Sequence, residues 1–273
     1  MRLHLRKLSR FLLASSILAI SLSPINADAL STFKVSESKV WGHTYAGKSQ
    51  GVPSIRPPKV AYVEAKARFV VNYKNFPEWA KKDFQAAVDI WSQYFSSVVP
   101  IKIDATFGRS ASYGVLGSAR PGNYFSGFDG APDQSLWYPS ALANALAGKD
   151  LEPDNPEMII QVNSAANWNT RNDGAPKSTE YDLQSVFLHE IAHGLGFLST
   201  DSYDPFFGYG TIEQPTPYAA YAQLPDGRRL SDLPSPSLEL GKALTSQLVW
   251  SGPSGTAANG GAKIILYTPS RYE

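Results

Sequence analysis

The sequence predicts an α+β domain in which a mostly parallel sheet packs against two main helices. Two segments, residues 66–73 and 99–107, alternate apolar and polar side chains as half-buried strands do. An amphipathic helical pattern lies between them, and a strand–helix–strand order of this length is typical of a crossover between neighbouring parallel strands. A second helical pattern, over residues 183–195, contains two histidines and a glutamate and indicates where the chemistry lies.

The first helix is predicted to begin at Pro77, because proline suits the first helical position. Apolar residues then recur at spacings of three and four and form one stripe over about five turns: Phe84, Ala87, Val88, Trp91 and Phe95. We interpret these residues as core, not as ligand contacts. In the preceding strand, Phe69, Val71 and Tyr73 share one side.

The middle of the chain contains a long segment, residues 108–135, that is rich in Gly, Ser, Pro and Asp. It is too long for a plain connector, so we expect it to be functional, ordered by a ligand or built from short strands. The remaining predicted elements are a helix over 137–148 closed by Gly148, a strand over 158–162, loops over 164–177 and 198–236, a helix over 238–249 and a strand over 263–268.

Four aspartates in this middle region raise the possibility of a calcium site. They are Asp129, Asp133, Asp150 and Asp154. Calcium sites use carboxylates, but these four lack a recognisable loop spacing. We favour the interpretation that they form turns, which aspartate stabilises by bonding nearby backbone amides.

Composition indicates a globular protein with a sizeable core. The chain has 273 residues, of which 43% are hydrophobic and 18% are charged. This balance argues against a disordered chain or a coiled coil, and the length suits one large domain or two small ones. The chain has no cysteine, which excludes thiol catalysis and cysteine metal ligands.

Residues 1–29 are predicted to be a secretory signal peptide, which implies a secreted or periplasmic protein. Four basic residues precede a short apolar run over 11–23, and Ala27-Asp28-Ala29 is a typical cleavage site. The run is shorter than the roughly 20 residues that span a membrane. Removing these four basic residues and Asp28 leaves 21 basic and 23 acidic residues, a net charge of −2. We therefore expect neither nucleic acid nor membrane as a partner of the mature chain.

Residues 30–65 are polar and contain three prolines, and we interpret them as an extended N-terminal arm. His43 lies in this arm and is expected to be a surface residue, not a metal ligand. The domain that carries the activity is then predicted to occupy residues 66–273.

The candidate catalytic residues form an H-E-x-x-H motif: His189, Glu190 and His193. Positions i and i+4 of a helix share one face, so the two histidines can point their imidazoles at one metal ion. Imidazole nitrogen is a ligand that Zn²⁺ prefers, and a glutamate beside the first ligand can act as general base towards a water on the metal. This pattern predicts a zinc peptidase that acts on a peptide or protein substrate.

The residues around the motif are typical of a helix. Thr179-x-x-Asp182 is a plausible capping box at its start, and Gly194 and Gly196 are expected to end it. Apolar residues at a spacing of four predict one buried stripe: Leu183, Phe187, Ile191 and Leu195. The alternative is a buried helix with two incidental histidines.

Over His189–Gly196, the chain resembles metzincin-clan zinc peptidases, which share the H-E-x-x-H-x-x-G opening. It is similar in particular to secreted metzincin-like and leishmanolysin-like proteins, through five further stretches: W-Y-P-S-A-L-A-N-A-L-A-G at 137–148, N-S-A-A-N-W at 163–168, V-F-L-H-E-I-A-H-G-L-G-F at 186–197, A-N-G-G at 258–261 and L-Y-T-P at 266–269. The resemblance runs from about Arg68 to the end. It implies a zincin N-terminal subdomain with a twisted sheet above the zinc helix, Zn²⁺ on His189 and His193, and Glu190 as base.

The sequence departs from the metzincin pattern after His193. The position of the usual third histidine is Ser199, and no histidine follows His193. The methionine-containing turn is missing too, because Met158 precedes the motif. Relatives continue past the L-Y-x-P stretch with an S-x-H-x-D-E segment, whereas this chain stops four residues after Pro269. The expectation is a truncated domain with an incomplete C-terminal subdomain.

Two other interpretations stay open. One is a non-catalytic secreted protein that keeps the fold with a weak or absent metal site. The other is a third ligand from a carboxylate, with Asp201, Asp204 and Glu213 as candidates, because zinc accepts carboxylate oxygen.

Overall fold

The fold is known from a computed structural model, which describes residues 33–46 and 65–266. These residues belong to one compact unit, Thr32–Glu273. The predicted signal peptide, residues 1–29, lies outside the described residues. Within the described ranges, no helix is both long and apolar enough to cross a bilayer.

The described strands, in chain order, are β1 (Lys34–Glu37), β2 (Gly42–Tyr45), β3 (Phe69–Lys74), β4 (Ile101–Gly108), β5 (Val115–Pro121), β6 (Asn123–Ser126), β7 (Tyr138–Pro139), β8 (Met158–Asn163), β9 (Ser202–Tyr203), β10 (Gly210–Thr211), β11 (Ala222–Gln223), β12 (Val249–Trp250) and β13 (Ile264–Ile265). The α-helices are α1 (Glu78–Tyr94), α2 (Ser140–Ala147), α3 (Leu183–Leu195), α4 (Leu238–Leu244) and α5 (Pro253–Ala258), and short 3₁₀ turns occupy Ala219–Tyr221 and Leu230–Asp232.

The largest sheet has five strands in the order β2–β5–β8–β4–β3. β3, β4 and β8 run parallel, which confirms the crossover predicted around α1. β5 runs antiparallel to β8, and β2 runs antiparallel to β5, so only half of the sheet is parallel. The reversal follows from the chain between β4 and β5: residues 109–114 are too few to form a crossover.

Helices α1 and α3 pack together on one face of this sheet. Phe84 of α1 and Phe187 of α3 meet with ring centroids 4.4 Å apart, and both side chains are fully buried. The indole Nε1–H of Trp91 donates to the carbonyl of Leu188 at 3.0 Å and joins the helices directly. Burial of apolar surface between two helices and a sheet is the main stabilisation available to such a layer.

The strands alternate between this core and solvent. Residues that face the helices are buried: Ile101, Ile103 and Ala105 in β4, and Met158, Ile160 and Val162 in β8. Residues between them, such as Asp104 and Gln161, are exposed. The sheet therefore has one apolar and one polar face, as an α+β layer requires.

Helix ends differ from the predictions by one to three residues. Pro77 is the N-cap of α1, not its first residue. Asp182 caps α3, where Thr179 was expected, because its carboxylate accepts the amide N–H of Ser185 at 2.9 Å. Gly196 is the C-cap with a φ of 117°, a left-handed conformation that glycine adopts without strain.

Other predictions for the middle of the chain are confirmed. Residues 108–135 contain the short strands β5 and β6, and Gly148 closes α2 with a φ of 66°. Asp133 forms a turn, because its carboxylate accepts bonds from the amide and the hydroxyl of Ser135. Asp150 accepts bonds from the amide of Glu152 and from Lys102.

The described part of the N-terminal arm forms strands. β1 pairs antiparallel with β6 in a second sheet, and β2 is the outer strand of the main sheet beside β5. His43 is exposed on β2, and its Nδ1 lies 2.8 Å from the hydroxyl of Ser118. The remaining residues of the predicted arm, 30–32 and 47–64, lie outside the described ranges.

Candidate metal centre

Helix α3 brings the two motif histidines together. Its apolar stripe, the four residues predicted above, is buried against the sheet and α1. Because His189 and His193 are one turn apart, their rings project side by side, with centroids 4.5 Å apart and planes at 88°. Their Nε2 atoms are 2.8 Å apart. Two imidazole nitrogens that converge in this way are the donor set that a zinc ion takes from an H-E-x-x-H helix.

A backbone carbonyl fixes the tautomer of His193. Nδ1 of His193 lies 2.9 Å from the carbonyl oxygen of Phe197, just past the end of α3. A carbonyl only accepts, so Nδ1 carries the proton and Nε2 keeps its lone pair. Metal-ligating histidines are oriented by a contact of this kind at the second ring nitrogen.

Burial favours the neutral form of both rings. Desolvation in the cleft, with a smaller contribution from the neighbouring His193 ring, lowers the pKa of His189 to about 4. Burial also lowers the pKa of His193, against the opposing effect of the Phe197 carbonyl. Neutral imidazole is the form that binds metal, so no proton has to be displaced from a cationic ring.

Glu190 is fully buried between the histidines and the sheet. Burial raises its pKa to about 8, although hydrogen bonds from Thr44 oppose the shift. Oε1 accepts the hydroxyl of Thr44 at 2.6 Å, while Oε2 is buried with no hydrogen-bond partner among the described residues. A buried carboxyl oxygen without a partner is costly and marks a functional atom or a place for a water or an ion.

Two glycines allow the sheet to approach α3 closely. A Cβ at Gly117 of β5 would lie 2.8 Å from Oε1 of Glu190 and 2.9 Å from Val186. A Cβ at Gly42 of β2 would overlap the ring of His193, 2.6 Å from its Nε2. Side-chain atoms do not fit at either position, so both glycines are required by the contact between sheet and helix.

Thr44 and Gly42 are site residues that the sequence does not point to. Thr44 is 146 positions from Glu190, so no local pattern links them. The stretch Trp41–Tyr45 contains β-favouring aromatic and branched residues and could have indicated a strand, but not its position over α3.

None of the carboxylates proposed as third ligands joins the histidine pair. Asp204 accepts the amides of Phe206 and Phe207, and Glu213 accepts the hydroxyl of Ser202 at 3.3 Å. Within residues 33–46 and 65–266, no group of three or more His, Cys, Asp or Glu side chains could hold a metal ion.

Asp201, the remaining candidate, is also separate from the pair, and its Oδ1 is buried without a partner among the described residues. Ser199, at the position of the usual third histidine, accepts the backbone amide of Asp201. Of the predicted ligands and candidate third ligands, the structure brings together His189 and His193 alone within the described residues.

Comparison with known protein families assigns the chain to one family. The sequence model of the SPBPB7E8-like family matches residues 74–215, which include α1, the parallel strands β4 and β8 and the whole of α3. The match covers more than half of the chain, and the protein belongs to this family. No curated protein and no solved structure matches the chain significantly.

The assignment to the metzincin clan, including its leishmanolysin-like members, is wrong. The family that matches is the SPBPB7E8-like family, and the described residues contain no three-ligand metal group of the kind that the clan uses. The resemblance was misleading because the eight-residue motif reflects only the geometry of two histidines on a helix. That geometry can recur in proteins outside the clan. The expectation of a truncated metzincin domain depended on the same resemblance and falls with it. The zincin-type fold stays a prediction.

Proposed function

We propose that this member of the SPBPB7E8-like family is an exported, zinc-dependent peptidase. The observation that carries the proposal is the convergence of the Nε2 atoms of His189 and His193 next to the buried carboxyl group of Glu190. A secreted or periplasmic location follows from the signal-like residues 1–29, and an extended peptide is the substrate class.

The residues fit zinc by their chemistry. His193, fixed by the Phe197 carbonyl, accepts a hydrogen bond at Nε2 from Nε2 of His189. Once the His189 proton moves to Nδ1, the two nitrogens would offer lone pairs to one metal ion. A zinc ion held there would supply Lewis-acid chemistry, because zinc polarises carbonyl groups and lowers the pKa of bound water. With two protein ligands, we expect an affinity below that of a three-ligand site.

Glu190 has the position and the chemistry of a general base. In its ionised form, which becomes populated as the pH rises towards the pKa of about 8, the unpartnered Oε2 would take a proton from the attacking water and pass that proton to the leaving amine. Thr44 holds the other oxygen, Oε1, so the carboxyl group cannot turn freely. His189 and His193 would hold the metal ion. They would not exchange protons during the reaction, because imidazole binds metal in its neutral form.

The test is peptide hydrolysis by Glu190→Gln in the presence of zinc. Glutamine keeps the size of the side chain and can still accept the Thr44 hydroxyl, but it cannot take a proton. We expect hydrolysis of casein to fall by about 10²-fold or more, with zinc content unchanged. Glu239→Gln is the matched control, because Glu239 lies on the surface and pairs with Arg228. Equal hydrolysis by the wild type and Glu190→Gln would contradict the role of Glu190.

The alternative is a non-catalytic secreted protein with the same fold. It is favoured by one observation, the lack of a third ligand within the described residues. Wild-type protein that binds zinc but leaves casein and denatured peptides intact at all metal concentrations supports this alternative over the peptidase.

A further inference from the structure

Strand β2 lies across the candidate metal centre. It is the outer strand of the five-stranded sheet and pairs antiparallel with β5. Thr44 donates its hydroxyl to Oε1 of Glu190, and Gly42 lies against the ring of His193. The N-terminal arm therefore covers Glu190 and His193, two of the side chains that we assign to peptide hydrolysis, and leaves His189 exposed.

This cover excludes a substrate. Glu190 has no exposed surface, and one of its two oxygens is already bonded to Thr44. The space between Gly42 and His193 is smaller than a methyl group. While β2 is in place, a peptide carbonyl cannot approach Glu190 and His193 together from this side of the helix.

The place that β2 fills suits an extended peptide. Strands added to a sheet edge bind through main-chain hydrogen bonds, and this is a common way to recognise peptides. Without β2, the outer edge of β5 would present unpaired N–H and C=O groups beside Glu190, because Gly117 of β5 lies directly against that carboxyl group. A peptide bound along this edge would pass the metal ligands as closely as Gly42 passes the His193 ring.

Given the proposed function, we propose that Gly42–Tyr45 occupies, within the same chain, the groove in which an extended peptide substrate pairs with β5. Hydrolysis then requires β2 to leave. The arm acts as an intramolecular blocker, and its sequence is a guide to the peptide that the groove accepts.

The register of β2 sets a rule for that peptide. Gly42 is opposite Ala119 and Thr44 is opposite Gly117, so alternate residues face α3. A residue in the place of Gly42 has to be glycine, because a Cβ there overlaps His193. Residues in the place of His43 face the other side of the sheet, beside Ser118, and can vary.

The contacts that hold β2 are few enough to break without unfolding the core. Its pairing with β5 is limited to four residues. On the outer side, His43 contacts Ser118, and the neighbouring Trp41 ring lies 5.3 Å from the guanidinium of Arg120. Tyr45 is exposed. A short edge strand of this kind opens at a lower free energy than the buried strands behind it.

A reversible clamp tests the proposal in the full chain. The chain has no cysteine, so the double variant His43→Cys, Ser118→Cys introduces one pair at directly opposed positions, on the sheet face away from α3. Opposed residues in antiparallel strands have Cα separations that a disulfide accepts. Ser118→Cys alone is the matched control, since it cannot form the clamp.

The readout is binding of a fluorescent peptide with the sequence of residues 38–46, S-K-V-W-G-H-T-Y-A. In the double variant, we expect the peptide to bind the reduced form about tenfold or more tighter than the oxidised form, because the clamp removes the open state. The control should bind equally with and without reductant. A peptide with Gly42→Val should bind the reduced double variant about tenfold more weakly, because its side chain overlaps His193.

Hydrolysis of casein by the same samples separates the two proposals. A reduced form that binds the peptide but hydrolyses nothing rejects the peptidase and keeps the blocked groove. Hydrolysis that is equally fast in the oxidised and reduced forms rejects the blocker. Equal peptide binding in both forms, or binding in neither, also contradicts the proposal.

Discussion

The carboxyl group of Asp201 is buried where its charged form is poorly stabilised. Its Oδ1 is buried without a partner among the residues described, and burial raises its pKa to about 6, with a bond from Ser199 opposing the shift. Since the folded state binds this proton more tightly than the unfolded state, stability is lost as pH rises from about 4 to about 6. Above that range, the folded chain holds a buried, poorly compensated charge.

We expect Asp201→Asn to raise the free energy of unfolding at pH 7 by about 2 kcal/mol, because the amide removes the buried charge. Below about pH 3 the difference should vanish, since the wild-type carboxyl group is then mostly protonated in both states. Chemical denaturation at about pH 3 and at pH 7 measures it. Asp204→Asn is the control, because its Oδ1 can still accept the amides of Phe206 and Phe207. If Asp201→Asn raises the free energy of unfolding equally at both pH values, the buried charge is not the cause.

Glu190 and the histidines show how much of the candidate site could be predicted from the sequence. The i, i+4 spacing fixes two rings on one face wherever a helix forms, so the pairing of His189 with His193 needs no tertiary information. The burial of Glu190 does need it. That burial comes from Gly117 and Thr44 on two other strands, which no residue near the motif predicts.

At the scale of elements, the packing of α3 against β5 depends on Gly117. We expect Gly117→Ala to lower the free energy of unfolding by about 1–3 kcal/mol, because the added Cβ meets Glu190 and Val186 at less than van der Waals distance. Thermal denaturation measures the loss. In Gly108→Ala, at the end of β4, the nearest atom to the new Cβ is a methyl group of Thr106 at 3.7 Å, and stability should stay nearly constant. Equal losses in both variants would show that the contact with α3 is not the cause.

The elements that were predictable are those whose pattern is local. Periodicity and flanking glycines located α1, α3 and β8 because each buries one regular stripe. The direction of each strand in the sheet was harder to predict from the sequence. The antiparallel course of β5 follows from a short connection inside a Gly- and Ser-rich segment, where composition alone did not separate loops from strands. The cap of α3 also moved, because Asp182 and Thr179 are both good N-cap residues and the sequence does not rank them.

At the scale of the whole molecule, the site is assembled from three distant parts of the chain. Residues 42–45 come from the N-terminal arm, Gly117 from β5, and residues 189–193 from α3. The two segments of the main sheet are needed to bury Glu190, whereas the pairing of the two histidines depends on the helix alone. This division predicts that changes in the arm alter access to the centre without altering its metal ligands.

The family match agrees with this organisation in one respect. The matched region, residues 74–215, includes the helix with the motif and the strands β4, β5 and β8, but neither β2 nor most of β3. The blocking strand therefore lies outside the matched region, and the metal centre that we propose lies inside it.

The central claim is that His189 and His193 bind one zinc ion beside Glu190. A titration of the metal-free protein with zinc against a fluorescent chelator tests it most directly. We predict one bound ion per chain for the wild type and for Glu190→Gln, and a loss of about tenfold or more in affinity for His189→Ala and for His193→Ala, because each removes one ligand. His43→Ala should bind as the wild type does, since His43 lies on the other face of the sheet. Zinc affinity that is unchanged in His189→Ala and His193→Ala would contradict the account.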